Sequence, residues 1–236
     1  MSETRPATVS HAMEDYLKTI YELAQDRAVV TTTQLAHRMQ VRPASATGML
    51  KTLAELHLVT HTRYYGVTLT PAGERIALEI LRHHRLIERY LVEALGFGWD
   101  EVHEEADRLE HVISEKFEAQ IASFLGHPTT DPHGAPIPTV DGTMPTHSTL
   151  SLVDARCHVR YAISRVRGDD DAARLGYLAS LGLVPGASVV VETKAPFDGP
   201  LSLTVAAGVI AIDRRMAALI VVEESHAAPS TLRRDD

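Results

Sequence analysis

Apolar residues return every third or fourth position through the first half of the chain and every second position near its end, so helices are expected first and strands last. After Ser10, a residue type suited to capping, Met13, Leu17, Ile20, Tyr21 and Ala24 share one helical face. A short helix is expected from about Thr33 to Met39. Beyond Val41-Arg42-Pro43 a third runs from about Ala44 to His57, with Ala46, Met49, Leu50, Leu53 and Leu56 facing inward. Val59 to Arg63 and Val67 to Leu69, rich in β-branched and aromatic residues around Tyr64-Tyr65-Gly66, predict a hairpin. Thr70-Pro71 opens a helix to about Leu95, since proline suits a first helical position where its missing N–H would have no partner. Gly96-Phe97-Gly98 ends it, and one long helix is expected from Trp99-Asp100 to Leu125-Gly126.

Pro128, Pro132, Pro136, Pro138 and Pro145 then interrupt any period, so His127 to Thr149 reads as a linker. Strand-like runs follow at Val159–Ile163, Val189–Thr193, Leu201–Ala206, Val209–Ile212 and Ala218–Val222, around a helix near Ala172–Leu183. Five short strands with turns such as Phe197-Asp198-Gly199-Pro200 predict a small β-barrel, and Ser225 to Asp236 reads as a flexible tail. Helices followed by strands make the fold class α+β.

Composition narrows the class. With 44% hydrophobic and 23% charged residues, the 236-residue chain is globular rather than disordered or collagen-like. Its single cysteine, Cys157, cannot form an internal disulfide and fits a cytoplasmic setting. The absence of an apolar run of roughly 18 residues and the polar start, Met1 to Arg5, argue against a membrane partner and a signal peptide. The net charge of −8 argues against nucleic acid only if it is evenly spread. Residues 76–127 alone carry 5 basic against 11 acidic groups, whereas residues 1–75 carry 8 against 7.

That near-neutral front has the layout of a winged helix-turn-helix: three helices, a tight connection between the second and third, and a hairpin. The third helix would enter the major groove by its N-terminal end, with Pro43 just before it also expected at the DNA. Ala44, Ser45, Thr47 and Gly48 are small enough to let the backbone approach. Ser45 and Thr47 can hydrogen-bond base edges, Ala44 can touch a thymine methyl, and Arg38, Arg42 and Lys51 can reach phosphates. Arg63 and Tyr64 at the hairpin tip would lie along the backbone. The alternative is a helical subdomain without a DNA role. A segment of charge +1 neutralises few phosphates unless a dimer doubles the contacts, which makes the acidic middle a candidate for dimerisation.

The acidic middle carries the chemistry. His84 and Glu88 are four apart on one helical face; His103, Asp107, Glu110 and His111 fall at i, i+4, i+7 and i+8, with Glu104 beside them. Such a set of nitrogen and oxygen ligands without sulfur suits a divalent cation, against the competing reading of solvated helix faces. His103-Glu104 begins like a zincin motif, but that motif needs a second histidine where this chain has Asp107. No phosphate loop or nucleophile elbow is present, so an enzyme is not expected.

With both features located, the chain resembles the diphtheria-toxin-repressor family of metal-dependent transcriptional regulators, including its manganese-sensing branch. The resemblance runs from about Ser10 to Glu224. It rests on Met13–Leu23 (MEDYLKTIYEL), His83–Arg89 (HHRLIER), Val102–His111 (VHEEADRLEH) and Pro132–Pro138 (PHGAPIP). It implies a winged helix-turn-helix over residues 1–72 and a helical dimerisation and metal-binding domain over 73–127. A linker over 128–149, an SH3-like (FeoA-like) domain over 150–224 and a tail over 225–236 would follow. It further implies a homodimer that represses metal-uptake genes from a palindromic site on double-stranded DNA. Two metal sites per subunit are implied: a primary site of Asp15, Asp107, Glu110 and His111, and an ancillary site of His84, Glu88 and His103 with Asp171 from the barrel. Iron-sensing members place Met and Cys where this chain has Asp15 and Asp107, so hard oxygen ligands favour Mn(II), with Fe(II) the alternative. Members of the manganese branch often carry Glu three positions after the first Asp. Here Lys18 stands there, a departure that favours the ancillary arrangement over a close two-ion cluster. A metal-independent winged-helix regulator and a di-metal hydrolase remain as other readings.

Overall fold

Helix α1 (His11–Ala24) forms because its apolar residues recur at helical spacing, and it buries Tyr16, Leu17, Ile20 and Tyr21. The computed structural model describes residues 9–25, 29–62, 65–168 and 170–225, so Arg63, Tyr64 and the tail beyond Ser225 lie outside the described residues. Chain packing separates two units. One comprises residues up to 87 together with 106–129 and 137–145; the other comprises 88–105, 130–136 and the chain from 146.

In the first unit α1 begins at Ser10, which occupies the capping position but makes no side-chain cap bond; its backbone carbonyl accepts from Met13 and Glu14 instead. Helix α2 (Thr32–Arg38) starts with a capping box, in which Thr31 and Gln34 each accept from the other's backbone N–H. Val41 N–H then bonds back to the Ala36 carbonyl, closing the turn that leads into α3 (Pro43–Glu55). Leu17, Ile20, Leu35, Leu50 and Leu53 are fully buried between these helices. Strands β1 (Val59–Thr62) and β2 (Gly66–Leu69) pair antiparallel, Val59 with Leu69 and Thr62 with Gly66. At Gly66, with φ +109°, a Cβ would stand 2.6 Å from the Val30 carbonyl oxygen, so no other residue fits this bend. Helix α4 (Pro71–Leu95) is capped by Thr70, whose hydroxyl accepts from Gly73 N–H.

The single long helix expected after Trp99 is instead two, α5 (Val102–Leu109) and α6 (Glu115–Phe124). Ser114 is the cause: its hydroxyl accepts from Phe117 N–H, and Glu115 and Glu118 fill the first turn after it, so the chain restarts a helix there. Glu110 and His111 consequently stand in a turn rather than on a helical stripe.

In the second unit strands β3 (Arg160–Val166), β4 (Ser188–Lys194), β5 (Leu201–Val205), β6 (Gly208–Ile212) and β7 (Ile220–Glu224) form one antiparallel sheet in the order β6-β5-β4-β3-β7. Alternating residues, among them Tyr161, Ile163, Val189, Val191, Leu201 and Leu203, build its core with Leu175 and Leu178 of α7 (Ala172–Ser180). The last strand begins two residues later than expected, because Asp213 caps a short helix α8 (Arg214–Leu219) immediately before it. The proline-rich stretch has no helix or long strand, as expected, yet it is packed: Asp131, His133, Ala135 and Ile137 are buried.

Candidate metal centre and nucleic-acid interface

In the first unit α1, α4 and the turn after α5 converge on one cluster of charged side chains. His111 presents both ring nitrogens to carboxylates, Nδ1 to Glu14 Oε2 and Nε2 to Asp15 Oδ1, each at 2.7 Å. Glu110 Oε1 lies 3.4 Å from the same Nε2. On the other side of Glu110, Oε2 lies 2.5 Å from Nδ1 of His84, which is 3.3 Å from Asp107 Oδ1. Glu110 is 1% exposed, whereas Asp15 and Asp107 keep 41% and 48% of their side chains in solvent.

The ionisation of the cluster follows from these distances. Burial opposes charge on His111, but hydrogen bonds to Asp15 and Glu14 and the nearby carboxylates outweigh it, raising the pKa to about 9. Burial likewise works against Lys18, and the carboxylates of Glu110, Asp107 and Glu22 overcome it and raise its pKa. Lys18 Nζ donates to both Glu110 oxygens at 2.8 Å and to Asp107 Oδ1 at 3.0 Å. The donor set fits a hard divalent ion: carboxylate oxygens and imidazole nitrogens without sulfur, in a partly buried place where concentrated negative charge is expensive. Asp15, Glu110 and His111 offer atoms within 4.8 Å of one another, as do His84, Asp107 and Glu110.

Of the four primary residues expected from sequence, Asp15, Glu110 and His111 fall in one group, while Asp107 falls in a second with His84 and the shared Glu110. Glu14 is a partner that sequence reasoning missed; its place beside Asp15 in the α1 motif was the available signal. In the second unit Glu88 Oε1 lies 3.2 Å from His103 Nδ1. Glu88, Asp131 and His133 make a further buried group there, with Asp131 Oδ1 accepting from His133 and Ala135 N–H, and His133 Nε2 donating to the Trp99 carbonyl. Asp131 and His133 were also missed, since a proline-rich run gives no period that would place them. Asp171 is not drawn into this group: it caps α7 through Arg174 N–H and pairs with the Arg174 guanidinium at 3.0 Å.

On the DNA-reading side, Arg42, Pro43, Ala44, Ser45, Gly48 and Lys51 are exposed at and beyond the start of α3, and Ala46, Leu50 and Leu53 of the same helix are buried. Thr47 is partly buried and its hydroxyl donates to the Pro43 carbonyl, leaving its oxygen as an acceptor. Arg38, exposed at the end of α2, lies 3.9 Å from Glu22. Nothing stands within 4 Å of a Cβ built on Gly48.

Family comparisons agree with both halves of this arrangement. Residues 8–67 match the family described as "Iron dependent repressor, N-terminal DNA binding domain" and residues 70–139 match "Iron dependent repressor, metal binding and dimerisation domain". The chain belongs to the diphtheria-toxin-repressor family of metal-dependent transcriptional regulators. Residues 150–224 match the FeoA domain, which gives this family member an SH3-like C-terminal sheet. The chain is 34% identical over 202 residues to the iron-dependent repressor IdeR of Mycobacterium tuberculosis, covering 76% of this chain and 83% of the relative. A solved manganese-dependent transcriptional repressor in complex with manganese superposes with a TM-score of 0.83 at 38% identity, covering 90% of this chain and all of that one. The apo form of the manganese-activated repressor ScaR gives 0.78 at 34% identity, over 89% and 100%. Members of the diphtheria-toxin-repressor family are DNA-binding regulators, not enzymes; DNA and a second copy of the chain are the partners that its domains provide for. No described helix is long and apolar enough to cross a membrane.

Proposed function

We propose that this protein is a cytoplasmic Mn(II)-activated repressor of metal-uptake genes, acting as a homodimer on a palindromic operator. The observation that carries the reading is that His111 and Glu110, beyond α5, face Asp15 on α1 of the DNA-reading domain. A divalent ion held there supplies the positive charge that lets Asp15, Glu110 and His111 stay close together. Asp15 then holds α1 to the turn after α5, Leu17 and Ile20 of α1 pack against the α2–α3 pair, and α3 takes the orientation set by that packing. Coupling of this kind is typically about 1–3 kcal/mol, roughly 5- to 150-fold in DNA affinity, and it is reciprocal. Glu88 and His103 supply part of a second site in each subunit.

Oxygen ligands at positions 15 and 107 support Mn(II), and the two manganese repressors that the fold resembles support it too. Fe(II) is the second reading, favoured by the similarity to an iron-dependent repressor. DNA-binding titrations against the protein's own upstream region, run with Mn(II), Fe(II), Zn(II), Co(II) and chelator, test the proposal. Mn(II) is expected to raise affinity at least tenfold over chelator at free-ion levels where Zn(II) does not. Equal affinity with Mn(II) and chelator would sink it.

A further inference from the structure

Two groups of candidate ligands share Glu110: Asp15, Glu110 and His111 on one side, and His84, Asp107 and Glu110 on the other. They are not equivalent. The second group already surrounds a cation, because Nζ of Lys18 lies 2.8 Å from both Glu110 oxygens, 3.0 Å from Asp107 Oδ1 and 3.4 Å from His84 Nδ1. An atom of each member of that group thus points at the ammonium, whereas Asp15 and His111 point at each other. We propose that Lys18 is a built-in cation filling the His84–Asp107–Glu110 group, so that this cluster takes one divalent ion, at Asp15, Glu110 and His111, rather than a coupled pair. The proposal rests on the metal-sensor reading above and adds what sets the number of ions.

Charge and burial point the same way. Glu14, Asp15, Asp107 and Glu110 bring four negative charges against one on Lys18, so a single divalent ion leaves the cluster at −1. A second ion beside the retained ammonium would leave +1 in a cluster where Glu110 is 1% exposed. A second ion that displaced the ammonium would have to carry Lys18, 11% exposed, away from its three carboxylate contacts. Replacing Lys18 by glutamate exchanges the ammonium for a fifth carboxylate, and two divalent ions then restore −1.

The test counts manganese on the full-length protein in a His103→Ala background, which disables the separate Glu88–His103 pair. Equilibrium dialysis gives ions per subunit, and electron paramagnetic resonance reports whether two ions are exchange-coupled through a shared carboxylate. With Lys18 present, one ion per subunit and an uncoupled spectrum are expected. Lys18→Glu should bind two, with a coupled spectrum. Lys18→Gln, which removes the charge without adding an acid, should bind a second ion about tenfold more weakly than the first, and it decides the matter if Lys18→Glu does not fold. Two coupled ions with Lys18 present, or a single ion in both variants, would overturn the proposal while leaving the metal-sensor reading standing. No manganese bound with Lys18 present would overturn that reading and the proposal together.

Discussion

Oε2 of Glu14 lies 2.7 Å from Nδ1 of His111, with the two side chains only 2% and 8% exposed. A buried carboxylate on one ring nitrogen fixes the proton there and turns Nε2 toward Asp15 as the ligating atom. Partners of this kind commonly change metal affinity by about 10- to 100-fold. Glu14→Ala should therefore weaken Mn(II) binding by that factor without changing the number of ions bound. Calorimetric titration checks it, and an affinity within threefold of the parent would assign Glu14 to packing alone.

Metal uptake should release a proton. In the metal-free protein His111 stays protonated to about pH 9, and its Nε2 must shed that proton to ligate. Apparent metal affinity should rise about tenfold per pH unit through neutrality and level off near pH 9. The sign for stability is opposite. Because the folded pKa lies above the ordinary 6.5, the stabilising imidazolium is fully present below pH 6.5 and is lost as pH rises through about 9. Thermal melts of the chelated protein should fall over that window, and the Mn(II)-loaded protein should not follow them.

Gly48 separates the needs of the helix from those of DNA. A methyl there meets nothing, so Gly48→Ala should stabilise α3 by about 0.5–1 kcal/mol. The same methyl would stand on the exposed face expected to enter the groove. A higher melting temperature together with weaker operator binding is the expected pair of outcomes; unchanged operator binding would move the contact face elsewhere on α3.

Arg42 sits exposed at the residue before α3 and is expected to contact phosphate. Arg42→Ala should weaken binding to operator and unrelated DNA alike. It should also reduce the slope of log K against log salt by about 2 for a dimer that loses one contact per subunit. A change confined to operator DNA would instead mark Arg42 as a base reader.

Much of the reading domain was legible because its signals are local: apolar spacing in α1, the Val41-Arg42-Pro43 turn, and β-branched residues at the hairpin. The ligand types were legible too, since His and acids at helical intervals survive whichever helix bears them. The break between α5 and α6 was not, because Asp107, Glu110 and His111 keep a helical interval into it and Ile113, Phe117 and Ile121 continue the apolar spacing past Ser114, masking its capping role. From the sequence Lys18 stands out only as a departure from the family pattern. A lysine on an amphipathic helix reads as solvated, and what buries this one comes from residues 89 and 92 positions further on. Asp131 and His133 owe their burial to folding of the second unit, which a proline-rich run does not foretell.

The graded exposure of the cluster has a kinetic meaning. The carboxylates of Asp15 and Asp107 are half-solvated and would meet a hydrated ion first, whereas Glu110 is buried and would be reached only after the ion gave up water. Capture and retention would thereby fall to different residues: the outer aspartates would govern how fast an ion is caught, and buried Glu110 how long it dwells. A sensor built this way can exchange ions at its mouth while releasing a seated one slowly, so its response to falling metal would lag behind its response to rising metal.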